Sequence, residues 1–501
     1  MPADDRRTVW VFGDQLHRRI GALASASPAD ARVLLVTSAA KLSTRPWHRQ
    51  RLHLYLTAMA RFAHELRAEG FEVDEVTAPT FRKGWEDHVA RCRPSEVVAT
   101  EPNSLAARRL LDDLGVRSVR SNQFLCHPDE FAEWSATRSG RLRMEDFYRW
   151  QRTRLDVLVA ADGEPEGGRW NFDVDNREPP PKDGRTWPTA PVFPLDDLDR
   201  QVLASLPSSA VGADPDGRWP TSRAQALERL DQFVREGLPV FGPHEDAMLA
   251  AEWKLAHSVL SSSLNLGLLL PGEVVDAAVD AYHCGAAPLA GVEGFVRQVI
   301  GWREYVWGLR WLWADDWTRW NELGADRPLP PLFAGAPTQM ACVGNVVDKV
   351  DRTAYAHHIE RLMVLGNLCL LAGVRPQALV GWMWEQFVDG AEWVMQPNVV
   401  GMSLHADGGQ MATKPYASGG AYISRMSDHC AGCRYDPKRR TGPDACPFST
   451  LYWDFLARHE ERFAPNHRMG NQLGSMRRLK DLDGLRVRAT EVLSLLDAGE
   501  L

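Results

Sequence analysis

Three closely spaced cysteines near the C-terminal end are the clearest sign of chemistry in this sequence. Residues 429–448 read HCAGCRYDPKRRTGPDACPF, which places Cys430, Cys433 and Cys446 at C-x2-C-x12-C spacing. Three thiolates leave a tetrahedral metal site one ligand short, so a fourth ligand has to come from elsewhere in the chain. A cysteine followed by proline, as at Cys446, also occurs among iron–sulfur ligands. The spacing favours a metal or iron–sulfur site over cysteines that are merely buried or reduced.

The composition predicts a multidomain cytoplasmic protein with no membrane association. A chain of 501 residues is too long for one hydrophobic core, so two or three domains are expected. No run approaches the roughly 18 apolar residues of a membrane-spanning helix. The MPADDRR start lacks the basic-then-apolar order of a signal peptide. Eight cysteines spread over this length do not resemble a disulfide scaffold, which favours metal ligation in a reduced compartment.

The charge is unevenly distributed along the chain. A net charge of −8 argues against a general nucleic-acid coat protein, yet the C-terminal quarter is locally basic. A solvated surface and a surface that follows phosphates both account for this local charge. The basic residues near the cysteines are Arg434, Lys438, Arg439, Arg440, Arg458, Arg462, Arg468, Arg477, Arg478 and Lys480.

Tryptophan is unusually frequent, with 19 residues, many of them in the second half of the chain. Large aromatic side chains mostly fill the cores of helical domains, because each buries a large apolar area. Electron transfer between neighbouring indole rings is the alternative role in a redox protein.

The N-terminal region alternates short apolar strands with helical patterns. TVWVFGDQL, ARVLLVTSA, FEVDEVTA and SEVVATEP read as strands, and a long helix is predicted between the second and third. This alternation predicts a parallel sheet that helices cover on both faces. Ligands of such sheets bind beyond the carboxyl ends of the strands, where Gly13 and Asp14 lie. The G-x-G-x-x-G fingerprint of dinucleotide binding is absent.

The rest of the chain reads almost entirely as helix. We predict an α/β domain at residues 1–127, a helical segment with a long polar linker at 128–220, and a large all-helical domain at 221–501. The aromatic RWNFD motif within the linker favours packing, so we expect part of the linker to be ordered. No repeat of fixed period is present, which argues against a solenoid.

The helical domain contains two adjacent histidines, His357 and His358, in AYAHHIERLM. Successive residues of a helix point in different directions, so only one of the two is expected to line any single cavity. Taken alone, such histidines are more often satisfied surface or core residues than catalytic groups.

Several blocks together resemble the iron–sulfur bacterial cryptochromes and photolyases, the prokaryotic (6-4) photolyase group of the photolyase/cryptochrome superfamily. These blocks are EGFVRQVIGWREY, AYAHHIERLM, PNVVGM, TKPYASGGAYI and HCAGCRYDPK with CPF. They occur in the expected order, and the resemblance runs from VFGDQL to LYWDFLARH. It implies an antenna-type α/β domain and an all-helical FAD-binding domain. It also implies Cys342 as the fourth ligand of a [4Fe–4S] cluster, although four thiolates suit zinc as well.

The resemblance further implies a U-shaped FAD in the helical domain. Arg361 matches the arginine that faces the flavin ring, and Asp389 matches its carboxylate partner. Such a pair would help to hold an anionic reduced flavin. The other matching cofactor-binding positions are His257, Ser258, Ser261, Asn265, Glu293, Arg297, Trp302, Arg303 and Asn398.

The activity implied by the resemblance is light-driven repair of (6-4) photoproducts in UV-damaged DNA. Light-excited FADH⁻ would pass an electron to the lesion, while a proton donor assists the return of an oxygen between the bases. His357 and His358 match the histidine pair of the family, and His358 is our preferred acid. Tyr416 would complete the lesion pocket once the bases have left the stack, and Arg177 would wedge into the duplex.

The chain departs from the family pattern at its light-harvesting and relay positions. Thr37 stands where we expected a glutamate of the lumazine antenna site, whereas Asp14 matches, so a 6,7-dimethyl-8-ribityllumazine antenna is left open. Trp382 occupies a relay position, but Ala334 stands where another aromatic residue was expected. We therefore expect the electron route either to be rearranged, through Trp384 or Trp393, or to be slower.

Two other interpretations remain beside repair by a monomeric enzyme. A cryptochrome-type blue-light photoreceptor would have the same fold, flavin and cluster but signal through partner proteins. A cluster-containing nucleic-acid-binding protein without light chemistry would carry no yellow chromophore. His357, His358 and Tyr416 favour repair, while the altered relay leaves room for signalling.

Overall fold

The computed structural model describes residues 6–501, which begin with a five-stranded sheet. Its strands are β1 (Arg7–Val11), β2 (Ala31–Ser38), β3 (Val73–Ala78), β4 (Val97–Thr100) and β5 (Arg117–Val119). All neighbouring strands are parallel, in the order β3-β2-β1-β4-β5. The predicted α/β domain with a parallel sheet is therefore confirmed.

The central strands are buried on both faces because they are apolar along almost their whole length. Val9 of β1 pairs with Val33 of β2 on one side and with Val98 of β4 on the other. Parallel neighbours require crossover connections, and helices supply them here. The helices of this region are α1 (Gly21–Ala24), α2 (Ala39–Ser43), α3 (Arg49–Ala68), α4 (Phe81–Cys92) and α5 (Leu105–Leu114).

A helical segment and a long connector follow the sheet. The helices are α6 (Pro128–Ala136), α7 (Met144–Leu155) and α8 (Asp197–Ser205). Between α7 and α8, a 3₁₀ turn at Asp173–Asn176 anchors the RWNFD motif, with Phe172 and Asn176 buried. The expectation that part of the linker packs against the protein is confirmed.

The remainder of the chain is helical, as predicted. Its α-helices are α9 (Arg223–Gln232), α10 (Leu238–Phe241), α11 (Ser261–Leu266), α12 (Pro271–His283), α13 (Leu289–Val296), α14 (Glu304–Leu312), α15 (Ala341–Thr353), α16 (Asn367–Ala372), α17 (Pro376–Gln386), α18 (Glu392–Gln396), α19 (Gly420–Met426), α20 (Pro447–Arg458), α21 (Glu460–Phe463), α22 (Gly470–Arg477) and α23 (Leu482–Ala498). Within residues 6–501, four segments are π-helical: Phe233–Gly237, Arg297–Arg303, Glu360–Gly366 and Pro397–Ser403.

The carboxyl edge of the sheet packs directly on the helical domain. Leu16 donates its backbone N–H to the carbonyl of Leu266 at 2.8 Å, next to the C-terminal end of α11. The Arg51 guanidinium in α3 donates to the carbonyl of Phe387 at 2.9 Å, just beyond α17. None of the helices in the described part of the chain is long and apolar enough to cross a membrane.

Candidate active site and metal centre

A cavity of about 460 Å³ lies among the C-terminal helices, within the size range of cofactor sites. Three of the four π-helical segments border it, and π-helical turns are frequent at functional sites. It brings together most of the residues predicted for the cofactor and the lesion. Those lining the cavity are Arg177, His257, Ser258, Ser261, Asn265, Arg297, Trp302, Arg303, His358, Arg361, Asp389, Trp393, Asn398 and Tyr416.

Arg361 and Asp389 form a bidentate ion pair on the cavity wall. The two terminal nitrogens of Arg361 lie 3.0 and 3.1 Å from the two carboxylate oxygens. Ser261 Oγ donates to the same carboxylate at 2.7 Å, and the side-chain amide of Asn265 donates to the Asp389 carbonyl at 2.9 Å. Each charge is therefore held in a fixed orientation at the edge of the cavity.

Arg303 presents unused hydrogen-bond donors deep in the same cavity. Its guanidinium carbon lies 4.0 Å from the ring centre of Phe124. Its Nε and Nη1, and Nη2 of Arg297, have no hydrogen-bond partner within residues 6–501. Burial lowers the pKa of Arg303 to about 10, so the side chain stays charged at neutral pH. Buried charged donors of this kind suit the phosphates of a dinucleotide.

The cavity wall around His257 is strained. Leu255 and Val259 both have φ of 50°, a left-handed conformation that is rare for β-branched and bulky residues. Val259 lines the cavity together with His257 and Ser258. Strain that the surrounding structure maintains is a recurrent feature of ligand sites.

The two adjacent histidines occupy different environments. His358 faces the cavity, and its imidazole is accessible there although it lies deep within the protein. Burial and the Arg361 charge lower the pKa of His358 to about 4. His357 lies behind the wall, stacked on His257 with ring centroids 4.8 Å apart, and its Nε2 lies 3.7 Å from Glu360. His357 therefore supports the cavity wall rather than lining it.

A wide cleft of about 1620 Å³ opens onto this cavity. The two spaces share Glu145, Arg177, Asp246, Trp302 and Tyr416 among their lining residues. Cations outnumber carboxylates along the cleft, which gives it the charge expected of a phosphate-binding surface. The cations are Arg141, Arg143, Arg149, Arg177, Lys414, Arg425, Arg462 and Arg468, and the acids are Glu145, Asp146, Asp246 and Glu322.

The four predicted cysteine ligands surround one small cavity near the C-terminal helices. Cys342 is the second residue of α15, Cys430 and Cys433 lie on and after a 3₁₀ turn, and Cys446 caps α20. Burial raises the pKa of Cys342, and the other three thiols raise it further. Four cysteine sulfurs around one cavity are a donor set that suits a metal ion or an iron–sulfur cluster.

The sulfur spacing is wider than one zinc ion requires. A tetrahedral zinc with Zn–S bonds near 2.3 Å holds its sulfurs less than about 4 Å apart. No three of these four described sulfur atoms come within 4.8 Å of one another. The donor set and its spread therefore fit a multinuclear cluster.

Comparison with known proteins identifies the family. A family model described as deoxyribodipyrimidine photo-lyase-related protein matches residues 9–213. A (6-4) photolyase from Agrobacterium fabrum is 40% identical over 508 residues, covering 98% of this chain and 99% of that relative. This chain belongs to the (6-4) photolyase family.

Two solved structures of photolyase/cryptochrome proteins share its fold. A bacterial class III photolyase from Agrobacterium tumefaciens superposes with a TM-score of 0.56 at 15% identity, covering 99% of both chains. A Synechocystis cryptochrome gives a TM-score of 0.53 at 12% identity, over 92% of this chain and 89% of that one. Membership of the photolyase family implies FAD as the cofactor. The Arg361–Asp389 ion pair and the unpartnered guanidinium nitrogens of Arg297 and Arg303 fit such a cofactor.

Some residues that were predicted for the photolyase site lie away from the cavity. Glu293 is fully buried behind it, where its carboxylate accepts from the Phe172 backbone at 2.9 Å and pairs with Arg297 at 3.2 Å. It thus fixes the linker and an arginine that lines the cavity. Trp382 donates to the Phe333 carbonyl at 2.8 Å, and Trp384 packs on Trp47 at the contact with the sheet domain.

Trp393 begins an aromatic path that leads away from the cavity. Its ring centroid lies 5.7 Å from that of Trp307, which lies 5.4 Å from that of Trp311. Trp307 is buried, and Trp311 is partly exposed beneath the Arg108 guanidinium at 3.5 Å. Trp393 was predicted from the sequence as a relay residue, whereas Trp307 and Trp311 were not.

Asp14 lies at the carboxyl end of β1, where the sheet meets the helical domain. It is half-buried and accepts a hydrogen bond from the Asn103 side chain at 3.1 Å. Burial raises the pKa of its carboxyl group. Asn103 in turn donates to Gln123, so the Asp14 side chain is part of a fixed polar cluster.

The cleft cations were largely missed by sequence reasoning. Half of the ten basic C-terminal residues named from the sequence form ion pairs with carboxylates, as Arg440 does with Asp481, and two of the ten, Arg462 and Arg468, line the cleft. The arginine-rich stretch around Arg141 and Arg149, directly after α6, supplies much of the cleft instead. Its density of arginines was the signal that could have revealed it.

Proposed function

We propose that this protein repairs (6-4) pyrimidine–pyrimidone photoproducts in DNA in a light-dependent reaction. The observation that carries the proposal is the placement of His358 at a buried cofactor cavity that opens into a cationic cleft. The 40% identity to a (6-4) photolyase over nearly the whole chain supports it. Bound reduced FAD would supply light absorption and the electron for repair.

The cavity residues would hold this cofactor by charge and orientation. Arg361 and Asp389 would hydrogen-bond the edge of the flavin ring, since both are fixed by their mutual ion pair. Arg297 and Arg303 would contact the phosphates through their unused donors. Asn398 in the last π-helical segment and the Ser258 hydroxyl would complete the polar wall.

The cleft would receive the damaged strand. Its cations would contact phosphates without reading sequence, as nucleic-acid backbones require. The lesion would leave the stack to reach the cavity, which is necessary because the reacting bases are inaccessible inside a duplex. Tyr416 and Arg177 lie on the boundary between cleft and cavity and are partly exposed, so they would contact the flipped lesion and its neighbours.

His358 would act as the proton donor to the lesion. In the free protein its imidazole is neutral at pH 7, because its pKa is lowered to about 4. An approaching lesion brings phosphate charge, and an opposite charge nearby favours the protonated imidazole. DNA binding would thus raise the pKa of His358 toward the range in which general acids work. His357 would hold His257 in place by stacking.

Cys342, Cys430, Cys433 and Cys446 would hold a [4Fe–4S] cluster. The spread of the four sulfurs supports a cluster over a single zinc ion. The cluster would tie α15 to the start of α20, two elements far apart in the chain. An antenna chromophore of the lumazine type at Asp14 is a separate proposal, which fluorescence of the extracted chromophores would test.

The decisive experiment is repair of a synthetic oligonucleotide that carries one (6-4) lesion. Anaerobically purified, photoreduced protein is illuminated with blue light, and restored bases are quantified against a dark sample. We expect light-dependent restoration in the wild type and a loss of about 10²-fold or more in His358→Ala, the range for removal of a general acid. His283→Ala, at an exposed position, is the matched control.

Absence of restoration in the wild type would overturn the repair proposal. If bound FAD were then still photoreduced normally, the cryptochrome-type photoreceptor would become the better interpretation. A colourless or merely brown protein would instead favour nucleic-acid binding without light chemistry.

A further inference from the structure

Three metal-ligating side chains meet at the edge of the sheet, away from the sites described above. Asp74 lies on the edge strand β3, while His88 and Cys92 lie on α4, the helix that follows this strand. One ligand atom from each lies within 4.8 Å of both others. In residues 6–501 no other group of three or more His, Cys, Asp or Glu side chains meets this distance.

We propose that Asp74, His88 and Cys92 form a binding site for a single Zn²⁺ ion. Carboxylate oxygen, imidazole nitrogen and thiolate sulfur are all zinc ligands, and three protein ligands leave a fourth tetrahedral position for water. The mixed set excludes the hard cations Mg²⁺ and Ca²⁺, which take oxygen ligands. This proposal does not depend on the proposed repair activity.

The local sequence places these ligands on one face. His88 and Cys92 are four residues apart in α4, so their side chains project from the same side of the helix toward β3. His88 is fully buried, and its Nδ1 lies 2.6 Å from the Asp74 carboxylate. Cys92 is half-buried and has no disulfide partner, so its sulfur is available as a ligand.

A second hydrogen bond orients the imidazole as metal sites require. Nε2 of His88 lies 2.9 Å from Oγ1 of Thr8 on β1, inside the sheet domain. A ligating histidine usually holds its other ring nitrogen in such a contact, which fixes both tautomer and ring direction. Here Nδ1 is the atom directed at Asp74, so Nδ1 would bind the ion and Nε2–H would donate to Thr8.

Two arginines oppose a cation at this position, and they make the proposal testable. Arg91 pairs with the Asp74 carboxylate, and its side chain is 54% exposed. Ion pairs this exposed are worth about 1 kcal/mol or less, so the guanidinium can turn into solvent when the ion binds. Arg32 is buried nearby and bonds the Cys92 carbonyl at 3.1 Å and Glu72 at 3.3 Å, so the Glu72 carboxylate offsets part of its charge.

The test uses Co²⁺ as a spectroscopic substitute for Zn²⁺ on full-length protein freed of loosely bound cations. Tetrahedral Co²⁺ with a thiolate ligand absorbs visibly, and Zn²⁺ should displace it. We expect Cys92→Ser to lose one equivalent of this signal relative to the wild type. Cys284→Ser, which removes an exposed cysteine elsewhere, should retain it. The difference in Co²⁺ ions bound per chain between the wild type and Cys92→Ser counts this site alone, because the four-cysteine centre is the same in both proteins.

Arg91→Gln supplies the opposing change. Removing the competing charge should tighten binding by up to about fivefold, because an exposed ion pair contributes up to about 1 kcal/mol. Asp74→Asn should weaken it by at least about tenfold, because loss of even an outer partner of a metal ligand costs about 10- to 100-fold and Asp74 would itself be a ligand. Equal Co²⁺ stoichiometry in the wild type and in folded Cys92→Ser, with folding verified by circular dichroism, would overturn the site. An affinity unchanged by Arg91→Gln and Asp74→Asn would overturn it as well.

Discussion

Lys349 and Glu360 form an ion pair of 2.6 Å that is almost completely sealed from solvent. Lys349 lies on α15, the helix that begins next to Cys342, and Glu360 precedes Arg361 in the chain. The pair therefore links the helix of one cysteine ligand to the π-helical segment that lines the cofactor cavity. Lys349 also donates to the Leu249 carbonyl at 2.8 Å, so its hydrogen bonds are distributed over two segments.

Breaking this pair should destabilise the protein strongly. Lys349→Met leaves Glu360 buried without its partner, and loss of one member of a buried pair costs about 3–5 kcal/mol. Denaturant unfolding of the variant measures this cost. The double variant Lys349→Met/Glu360→Gln should recover part of it, because the uncompensated charge is then gone. Lys83→Met, at an exposed pair on α4, should leave the unfolding free energy nearly unchanged; a loss as large as that of Lys349→Met would contradict the explanation.

Arg361→Lys should weaken flavin binding while the fold persists. Lysine carries the charge but cannot reproduce the two parallel contacts to Asp389 or the donation from Nε to the Ala356 carbonyl at 2.6 Å. We expect about 10- to 10²-fold lower FAD affinity, the equivalent of about one charged hydrogen bond. Fluorescence titration of apoprotein with FAD gives the constant. The exposed Arg375→Lys is the control, and equal affinities in the two variants would contradict the assignment.

The sheet could be predicted because each of its strands and helices is recognisable from the residues of that element alone. Each strand is an apolar run bounded by turn residues, and each helix that follows has its own periodicity, so ARVLLVTSA and the helix after it could be assigned from sequence alone. C-x2-C spacing is likewise local. The fourth cysteine, Cys342, followed only from the family resemblance, since nothing in its own neighbourhood distinguishes it from Cys369.

The details of the cavity depended on packing between distant segments. Sequence placed Glu293 at the cofactor, but its side chain is taken up by the Phe172 backbone from a linker more than a hundred residues earlier. His357 and His358 are adjacent and of the same residue type, so the local sequence does not show which of them faces the cavity. Only the fold determines that His357 stacks on His257 while His358 faces the cavity. Contacts of this range have no signature in a local pattern.

Gly420→Ala should lower the occupancy of the four-cysteine centre. A Cβ at Gly420 would lie 2.7 Å from the Cys446 sulfur and 2.9 Å from the Ser449 hydroxyl, which forces the ligand to move. Gly432→Ala is the matched control between Cys430 and Cys433, since its Cβ would meet nothing within 4 Å. Iron and acid-labile sulfide per chain give the occupancy. Equal loading in both variants would show that Cys446 is not held where the structure places it.

Acidification should destabilise the protein through buried neutral histidines. Burial, with Arg141 and Arg462 nearby, lowers the pKa of His405 to about 4. The unfolded chain then binds the proton more readily, with a pKa near 6.5, so stability is lost as pH falls from about 6.5 toward 4. For one such group the loss at pH 5 relative to pH 7 is about 2 kcal/mol.

His405→Gln isolates this contribution. The variant should lose less unfolding free energy than the wild type between pH 7 and pH 5, as measured by urea unfolding at both values. His283→Gln, at an exposed position, should follow the wild-type pH dependence. Identical pH dependence in wild type and His405→Gln would mean that His405 is protonated as readily in the folded protein as in the unfolded chain.

Trp393→Phe should slow light-driven reduction of the bound flavin by an external thiol. Trp393 lines the cavity and lies 5.7 Å from Trp307, which continues to the partly exposed Trp311. Phenylalanine keeps the packing but is far harder to oxidise, so we expect a slowing of about tenfold or more, the effect of about 1.4 kcal/mol of added barrier. Trp382 does not line the cavity, so Trp382→Phe should slow the reaction less, and so should Trp384→Phe at the sheet contact. Absorbance changes under steady blue light measure the rates. A larger effect in Trp382→Phe would place the route through α17 and away from Trp307.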